Sequence, residues 1–128
     1  MEQVSDAVGV LDRARLLVVE DDFIISLELQ SVLGAAGAQS VTTCHKVSDA
    51  LKAVQANGVD AAILDVKLAG ETAAPVAREL ARLGIPFLFY TGQTETDPTR
   101  TAWPVAPIIA KPSPSRQIVT ALAQLLGR

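Results

Sequence analysis

Residues 61–71 read A-A-I-L-D-V-K-L-A-G-E, and this stretch indicates the fold. Its first four residues form a short apolar run, which is typical of a strand buried on both faces of a parallel sheet. The run ends at a carboxylate, Asp65, and the chain then becomes polar and reaches Gly70. An acid in this position is either the strand's exit into water or a chemical group that the scaffold holds. The segments on either side decide between these alternatives.

The rest of the chain alternates between similar runs and helical patterns. Further strands are predicted at residues 16–19, 40–44, 86–90 and 107–110, the second being half polar and the last opening with proline, as edge strands do. Apolar residues recur at helical spacing within residues 25–36, 47–54, 73–83 and 118–126. This alternation predicts an α/β fold with a parallel sheet and helices on both faces. Residues 93–104 have no sustained apolar stripe, so the fourth helix expected there should be short or irregular.

Length and composition favour one aliphatic domain. The chain has 128 residues, of which 49% are hydrophobic but only 4% aromatic. We expect an N-terminal extension at residues 1–13 and one domain at residues 14–128. The net charge of −3 argues against a nucleic-acid surface, and the lone cysteine, Cys44, fits a reducing compartment. No signal sequence or membrane-length apolar segment is present, so we expect a cytoplasmic protein.

Polar groups follow four of the five predicted strands. Glu20, Asp21 and Asp22 follow the first, and Asp65 follows the third. Thr91-Gly92 follows the fourth, and Lys111-Pro112 follows the fifth. Parallel α/β sheets bind ligands beyond the carboxyl ends of their strands, so these groups are expected to meet at one edge.

The group has a joint chemical use. Close carboxylates raise one another's pKa unless a counter-charge is present, and a hard cation with oxygen ligands such as Mg²⁺ supplies one. An ionised Asp65 could then act as a nucleophile towards phosphorus. The Lys111 ammonium and the Thr91 hydroxyl are natural partners of phosphoryl oxygens.

Each residue also has an ordinary structural interpretation. Acids after a strand are often helix N-terminal residues, and for Asp22 this interpretation is preferred. Thr91 alone predicts a turn and Lys111 alone a solvated lysine. Cys44 and His45 do not make a metal site by themselves, and both are interpreted as structural. Only the coincidence of all four strand ends favours a functional site.

The motifs V-V-E-D-D (18–22), L-D-V-K-L-A-G-E (64–71), Y-T-G (90–92) and A-K-P (110–112) resemble those of response-regulator receiver domains of two-component signalling. The resemblance covers about residues 14–127. It implies a flavodoxin-like, doubly wound sheet of five parallel strands in the order 2-1-3-4-5. It also implies a phosphorelay protein whose partners are a histidine kinase or a histidine phosphotransfer protein.

The resemblance further implies roles for individual residues. Asp65 is expected to accept the phosphoryl group, and Glu20, Asp21, Asp65 and the backbone carbonyl of Lys67 are expected to bind Mg²⁺ or Mn²⁺. Thr91 corresponds to the switch hydroxyl and Lys111 to the phosphate-binding lysine. The bond between Lys111 and Pro112 is cis in such domains.

Three positions depart from the family pattern. The run P-F-L-F-Y-T-G-Q (86–93) partly resembles a subgroup of stand-alone receivers with a Phe-Ala-Thr-Gly signature, but Tyr90 replaces its alanine and Gln93 its expected aromatic residue. Ile108 stands where receivers usually have the Tyr or Phe that couples to the switch hydroxyl. Tyr90 is a candidate substitute for that aromatic residue.

The sequence therefore predicts a single-domain receiver that is phosphorylated on Asp65 and switches partner binding, and that is not primarily an enzyme. Homodimerisation is possible for such a domain, and neither nucleic-acid binding nor membrane insertion is expected. One alternative is a degenerate receiver that binds partners without phosphorylation. Two other classes of protein fit the sequence less well. A phosphatase-like enzyme requires an Asp-x-Asp motif after the first strand, and a flavodoxin requires a hydroxyl- and glycine-rich phosphate loop there. This chain has Glu20-Asp21-Asp22 in that place.

Overall fold

The computed structural model describes residues 9–56, 58–68, 70–92 and 102–128. Strands and helices alternate through most of this part of the chain, as the sequence predicts. The elements are β1 (Arg15–Val19), α1 (Phe23–Ala35), β2 (Ser40–Cys44), α2 (Val47–Gln55), β3 (Ala61–Leu64), β4 (Lys67–Leu68), β5 (Glu71–Thr72), α3 (Ala74–Arg82), β6 (Phe87–Thr91), β7 (Ile108–Ala110) and α4 (Ser115–Leu125).

Five strands form one parallel sheet in the order β2-β1-β3-β6-β7. This is the predicted order 2-1-3-4-5 once the two-residue strands β4 and β5 are left out of the count, so the fold prediction is confirmed. The half-polar β2 and the short β7 lie at the two edges. Strands β4 and β5 pair with each other as an antiparallel hairpin directly after β3, and the sequence analysis missed them.

Helices cover both faces of the sheet because successive strand residues alternate between two cores. On β1, Leu16 and Val18 face the core that is shared with α1 and α4. Leu17 and Val19 face the core that is shared with α2 and α3. Each central strand is therefore buried on both faces, which explains its nearly continuous apolar sequence.

Helix α1 begins at the capping residue that the sequence predicts, and α4 begins one residue later than its local composition indicates. Asp22 is the N-cap of α1, and its Oδ1 accepts hydrogen bonds from the amides of Ile24 (2.9 Å) and Ile25 (3.1 Å). The prediction that Asp22 caps a helix is thus confirmed. The Ser113-Pro114 pair looks like an N-cap followed by a first helical residue, but Pro114 itself is the N-cap and α4 starts one residue later.

The chain before β1 packs on the domain as far as the structure describes it. Leu11 is completely buried, and its amide donates to the carbonyl of Ala36 at 3.0 Å. The Arg128 guanidinium donates to the carbonyls of Val10 and Asp12, which fastens the C-terminus to this segment. Residues 9–13 therefore pack on the domain, because an apolar side chain among them contributes to the core. The boundary at residue 14 stays a prediction, and residues 1–8 lie outside the described part.

An ion pair joins the start of β1 to the start of β3, at the amino ends of these strands. Asp60 accepts hydrogen bonds from the Arg15 backbone amide (2.8 Å), Nε (3.2 Å) and Nη2 (2.9 Å). These bonds hold the pKa of the Asp60 carboxyl below its ordinary value.

Two sequence expectations concern the remaining segments. The prediction of a short or irregular helix within residues 93–104 falls mostly outside the described residues. Among the residues that are described, no helix has the length and apolar character needed to cross a membrane.

Candidate functional site

The parallel register brings the predicted groups together at the carboxyl ends of the strands, which form one edge of the sheet. Val19 at the end of β1 lies beside Leu64 at the end of β3, and Thr91 ends β6 beside Ala110 of β7. The residues that follow these strand ends are therefore neighbours, although they are far apart in sequence. They comprise Glu20, Asp21, Asp65 and Lys111, with Thr91 as the last residue of its own strand.

Lys111 joins two buried carboxylates. Its Nζ lies 2.7 Å from Glu20 Oε1 and 2.8 Å from Asp65 Oδ2. Glu20 is 2% exposed and Asp65 is 7% exposed, so neither acid can rely on water for its charge. The Lys111 amide also donates to the carbonyl of Thr91 at 3.1 Å, which fixes the start of the lysine side chain next to β6.

The electrostatics of this pair follow from burial and hydrogen bonding. Burial raises the pKa of Glu20, and the neighbouring Asp65 charge adds to that rise. Hydrogen bonds from Lys111 and from the Asp22 amide act in the opposite direction but do not cancel it. For Lys111, burial alone would lower the pKa, but its bonds to Asp65 and Glu20 outweigh burial and raise it. The lysine therefore stays charged at neutral pH and serves as the counter-ion of the site.

The same edge contains a set of oxygen donors that fits a divalent cation. One carboxylate oxygen from each of Glu20, Asp21 and Asp65 lies within 4.8 Å of the others. Asp21 is exposed, so the set opens to water on one side. With all three acids ionised, three negative charges and the one positive charge of Lys111 leave −2. Oxygen donors, an open side and this net charge match what Mg²⁺ requires.

The comparisons with known proteins agree with this geometry. A family model described as the response regulator receiver domain matches residues 16–123. The chain belongs to the response regulator receiver family. Receiver domains of this family accept a phosphoryl group in two-component signalling.

Several solved structures resemble this receiver chain over most of its length. SdrG from Sphingomonas melonis Fr1 is 38% identical, with 89% of this chain and 97% of that chain covered and a TM-score of 0.76. A response regulator receiver protein from Sinorhizobium medicae WSM419 is 25% identical, with 91% and 97% covered and a TM-score of 0.78. PhyR from Brucella abortus, at 21% identity and a TM-score of 0.73, shares the fold over 98% of this chain and 54% of its own. No curated protein sequence matched the chain.

Other predicted residues of the receiver site occupy different positions around this edge. The Lys111–Pro112 peptide bond is cis, as the family resemblance implies. Lys67 begins the β4–β5 hairpin two residues after Asp65, and its part as a carbonyl ligand stays a prediction. Thr91 is fully buried, so its position as the last residue of β6 is held by the core.

The two unusual residues, Ile108 and Tyr90, lie on opposite faces of the sheet. Ile108 lies beside Phe89 in the register of β6 and β7 and packs with the core of α2 and α3. Tyr90 belongs to the other core, shared with α1 and α4. Tyr90 therefore does not take the position that the missing aromatic residue at 108 would have had. Its hydroxyl instead accepts a hydrogen bond from the Ser113 amide at 3.3 Å.

His45 is a contact of the site that the sequence analysis missed. Its Nδ1 lies 2.7 Å from the carbonyl oxygen of Glu20, and its ring lies 5.9 Å from that of Phe23. Because a carbonyl only accepts, the imidazole donates through Nδ1. His45 thus fastens the backbone that presents Glu20 and Asp21. The sequence feature that could have indicated this contact is the place of His45 directly after β2, at the same end of the sheet as the other groups.

Proposed function

We propose that this receiver accepts a phosphoryl group onto Asp65 and thereby switches its binding to other proteins. The observation that carries the proposal is the Lys111 ammonium held between Glu20 and Asp65 at the open edge of the sheet. A lysine that only solubilised the surface would not be placed between two buried acids. Its ammonium is a counter-ion that can move to the phosphoryl oxygens when Asp65 is phosphorylated.

The proposed reaction is phosphoryl transfer from a phosphohistidine. An oxygen of the Asp65 carboxylate attacks phosphorus, the P–N bond breaks, and the electron pair of that bond stays on the imidazole nitrogen. The products are an acyl phosphate on Asp65 and a free histidine on the donor. Lys111 and the Thr91 hydroxyl are proposed to receive the phosphoryl oxygens, whose charge grows during transfer.

A divalent cation completes the proposed site. Glu20, Asp21 and Asp65 would hold Mg²⁺ or Mn²⁺, with the carbonyl of Lys67 as a further ligand. When bound, the cation supplies positive charge that offsets the charge of the phosphoryl oxygens. The acids themselves keep the site negative enough to attract the cation, and the exposed Asp21 leaves room for water ligands.

The biological role that fits this chemistry is that of a phosphorelay switch. The donor is proposed to be a histidine kinase or a histidine phosphotransfer protein, and the output is a change in binding to a downstream protein. The domain takes part in its own phosphorylation and dephosphorylation but does not turn over a separate substrate. We propose that it works in the cytoplasm, where such donors present their phosphohistidines, and homodimerisation is a further possible output.

A labelling experiment tests this proposal. The protein is incubated with radiolabelled acetyl phosphate and Mg²⁺, and covalent label is measured with wild type, Asp65→Asn and the control Asp49→Asn. Asp49 is an exposed acid on α2, so its removal tests for a general charge effect. We expect label on wild type and on Asp49→Asn and none on Asp65→Asn. Equal labelling of all three proteins would overturn the assignment.

The second candidate function is phosphorylation-independent partner binding by a degenerate receiver. Ile108 favours it, because this aliphatic side chain packs against the core of α2 and α3 and cannot act as the aromatic residue that receivers usually have at this position. Titration of Mg²⁺ distinguishes the two functions, with Trp103 fluorescence and amide chemical shifts as the measurements. An absence of response up to millimolar Mg²⁺ would favour the degenerate receiver.

A further inference from the structure

We infer that Tyr90 is a positioning residue that holds Lys111 in place for the phosphoryl group. The inference rests on the proposed function of Asp65 and Lys111, and it assigns to Tyr90 a role other than that of the missing aromatic residue at position 108. Three contacts of the described residues carry it. They involve the Tyr90 hydroxyl, the Tyr90 ring and the backbone carbonyl of Thr91.

The first contact fixes the chain after the lysine. The Tyr90 hydroxyl accepts a hydrogen bond from the amide of Ser113 at 3.3 Å, and Ser113 lies two residues beyond Lys111. Tyr90 is 7% exposed, so its hydroxyl has little water to replace this bond. The bond therefore fastens the segment between β7 and α4 to the end of β6.

The second contact concerns the ammonium itself. Lys111 Nζ lies 5.8 Å from the centroid of the Tyr90 ring. This is within the range of a cation–π interaction, which is stronger when the cation is partly removed from water, as Lys111 is. The ring thus forms one side of the space in which the ammonium reaches Glu20 and Asp65.

The third contact completes the attachment. The Lys111 amide donates to the carbonyl of Thr91 at 3.1 Å, so residues 90 and 91 hold the lysine segment at two points. The Lys111 backbone amide, the Lys111 ammonium and the Ser113 amide thus all interact with residue 90 or 91 at the end of β6. Because Ser113 also contacts Gln117 in the first turn of α4 through its hydroxyl, a shift of this segment would reach that helix.

A tyrosine that merely filled the core would need neither the hydroxyl bond to Ser113 nor the position of its ring beside the ammonium. Leu88 on the same strand and face is fully buried by apolar packing alone. At position 90 the side chain instead directs its polar end to the lysine segment and its ring face towards the charge. This arrangement predicts that the effect of Tyr90 on phosphorylation passes through Lys111.

The test is a double-mutant cycle with Tyr90→Phe and Lys111→Met. Tyr90→Phe keeps the ring and removes only the hydroxyl. We expect it to slow phosphorylation of Asp65 by acetyl phosphate about 3- to 10-fold, the equivalent of one buried hydrogen bond. Its Mg²⁺ affinity should change less than about twofold, because the hydroxyl that is removed bonds the Ser113 amide and not a carboxylate. In the Lys111→Met background, Tyr90→Phe should have no further effect on the rate.

The control variant is Phe89→Leu, and the second measurement is hydrogen exchange at the Ser113 amide. Phe89→Leu changes a buried ring on the other face of β6, so its effect should add independently to that of Lys111→Met. The Ser113 amide should exchange faster with solvent in Tyr90→Phe than in wild type, whether or not the protein is phosphorylated. Unchanged exchange at Ser113, or equal effects of Tyr90→Phe with and without Lys111, would overturn the inference. If wild type does not accept phosphate, the proposed function is refuted. The exchange rate of the Ser113 amide in Tyr90→Phe then still tests whether the Tyr90 hydroxyl holds this segment.

Discussion

Removal of the Lys111 ammonium should destabilise the domain by an amount that the site geometry sets. In Lys111→Met, the carboxylates of Glu20 and Asp65 lose their shared counter-ion while their oxygens remain within 4.8 Å. At an effective dielectric constant of about 20, two unit charges at that distance repel by about 3.5 kcal/mol, and only in wild type does the attraction of Lys111 to both acids offset this repulsion. Removal of one partner of a buried ion pair typically costs roughly 3–5 kcal/mol, and we expect the lower end of that range here.

The assay is urea unfolding of wild type, Lys111→Met and the control Lys52→Met, whose lysine is exposed on α2. At neutral pH we expect the free energy of unfolding to fall by about 3 kcal/mol in Lys111→Met and by less than about 0.5 kcal/mol in the control.

Two further dependences follow for this variant. Burial already raises the pKa of Glu20, and loss of the Lys111 hydrogen bond should raise it further, so the lost stability should return as the pH falls and Glu20 binds a proton. Millimolar Mg²⁺ should also stabilise Lys111→Met more than wild type, because the cation replaces the missing charge. A loss below about 1 kcal/mol at neutral pH, or an equal loss in Lys52→Met, would show that Lys111 is not the counter-ion of the two acids.

Three further predictions concern other parts of the chain. Leu11→Ala should lower the free energy of unfolding by about 2–5 kcal/mol in urea titrations, whereas Leu27→Ala, at a leucine that is 47% exposed, should cost far less. His45→Ala should weaken Mg²⁺ binding roughly tenfold by calorimetry, since it frees the Glu20 carbonyl, and His45→Asn, which keeps a donor near Nδ1, should restore most of the affinity. Asp60→Asn should lower Tm at neutral pH. Because the folded pKa of Asp60 is lowered, this difference should disappear as the pH falls from about 3.8 through that lowered value, and a constant difference would contradict it.

The sequence predicted the main sheet and failed at elements without a periodic signal. Apart from Arg15 at the start of β1 and Thr91 at the end of β6, strands β1, β3 and β6 are almost continuously apolar because both of their faces are buried, and that pattern is local to each strand. The β4–β5 hairpin has only two residues in each strand, too few for an alternation of apolar and polar residues to appear. Ser113-Pro114 has the composition of a helix start, yet the observed start depends on backbone angles that composition does not fix.

In the N-terminal segment, the burial of Leu11 could not be predicted from the sequence. Residues 1–13 have no period, so the sequence gives no reason to place any of them in the core. Leu11 is nevertheless buried, because the end of α1 and the C-terminal Arg128 lie where they can hold the segment. A single apolar residue in an aperiodic stretch carries no information about burial until its neighbours in space are known.

The amino-acid sequence by itself determined which groups reach the edge of the sheet. Alternating strands and helices force a parallel sheet, and a parallel sheet collects the residues after its strands, including Asp65 and Lys111, at one edge. Only the tertiary structure decided which of them touch. Lys111 between Glu20 and Asp65, and the Tyr90 hydroxyl on the Ser113 amide, are contacts across 23 to 91 residues of chain. Such contacts require distances correct to a fraction of an ångström, which depend on strand register and core packing rather than on any local pattern.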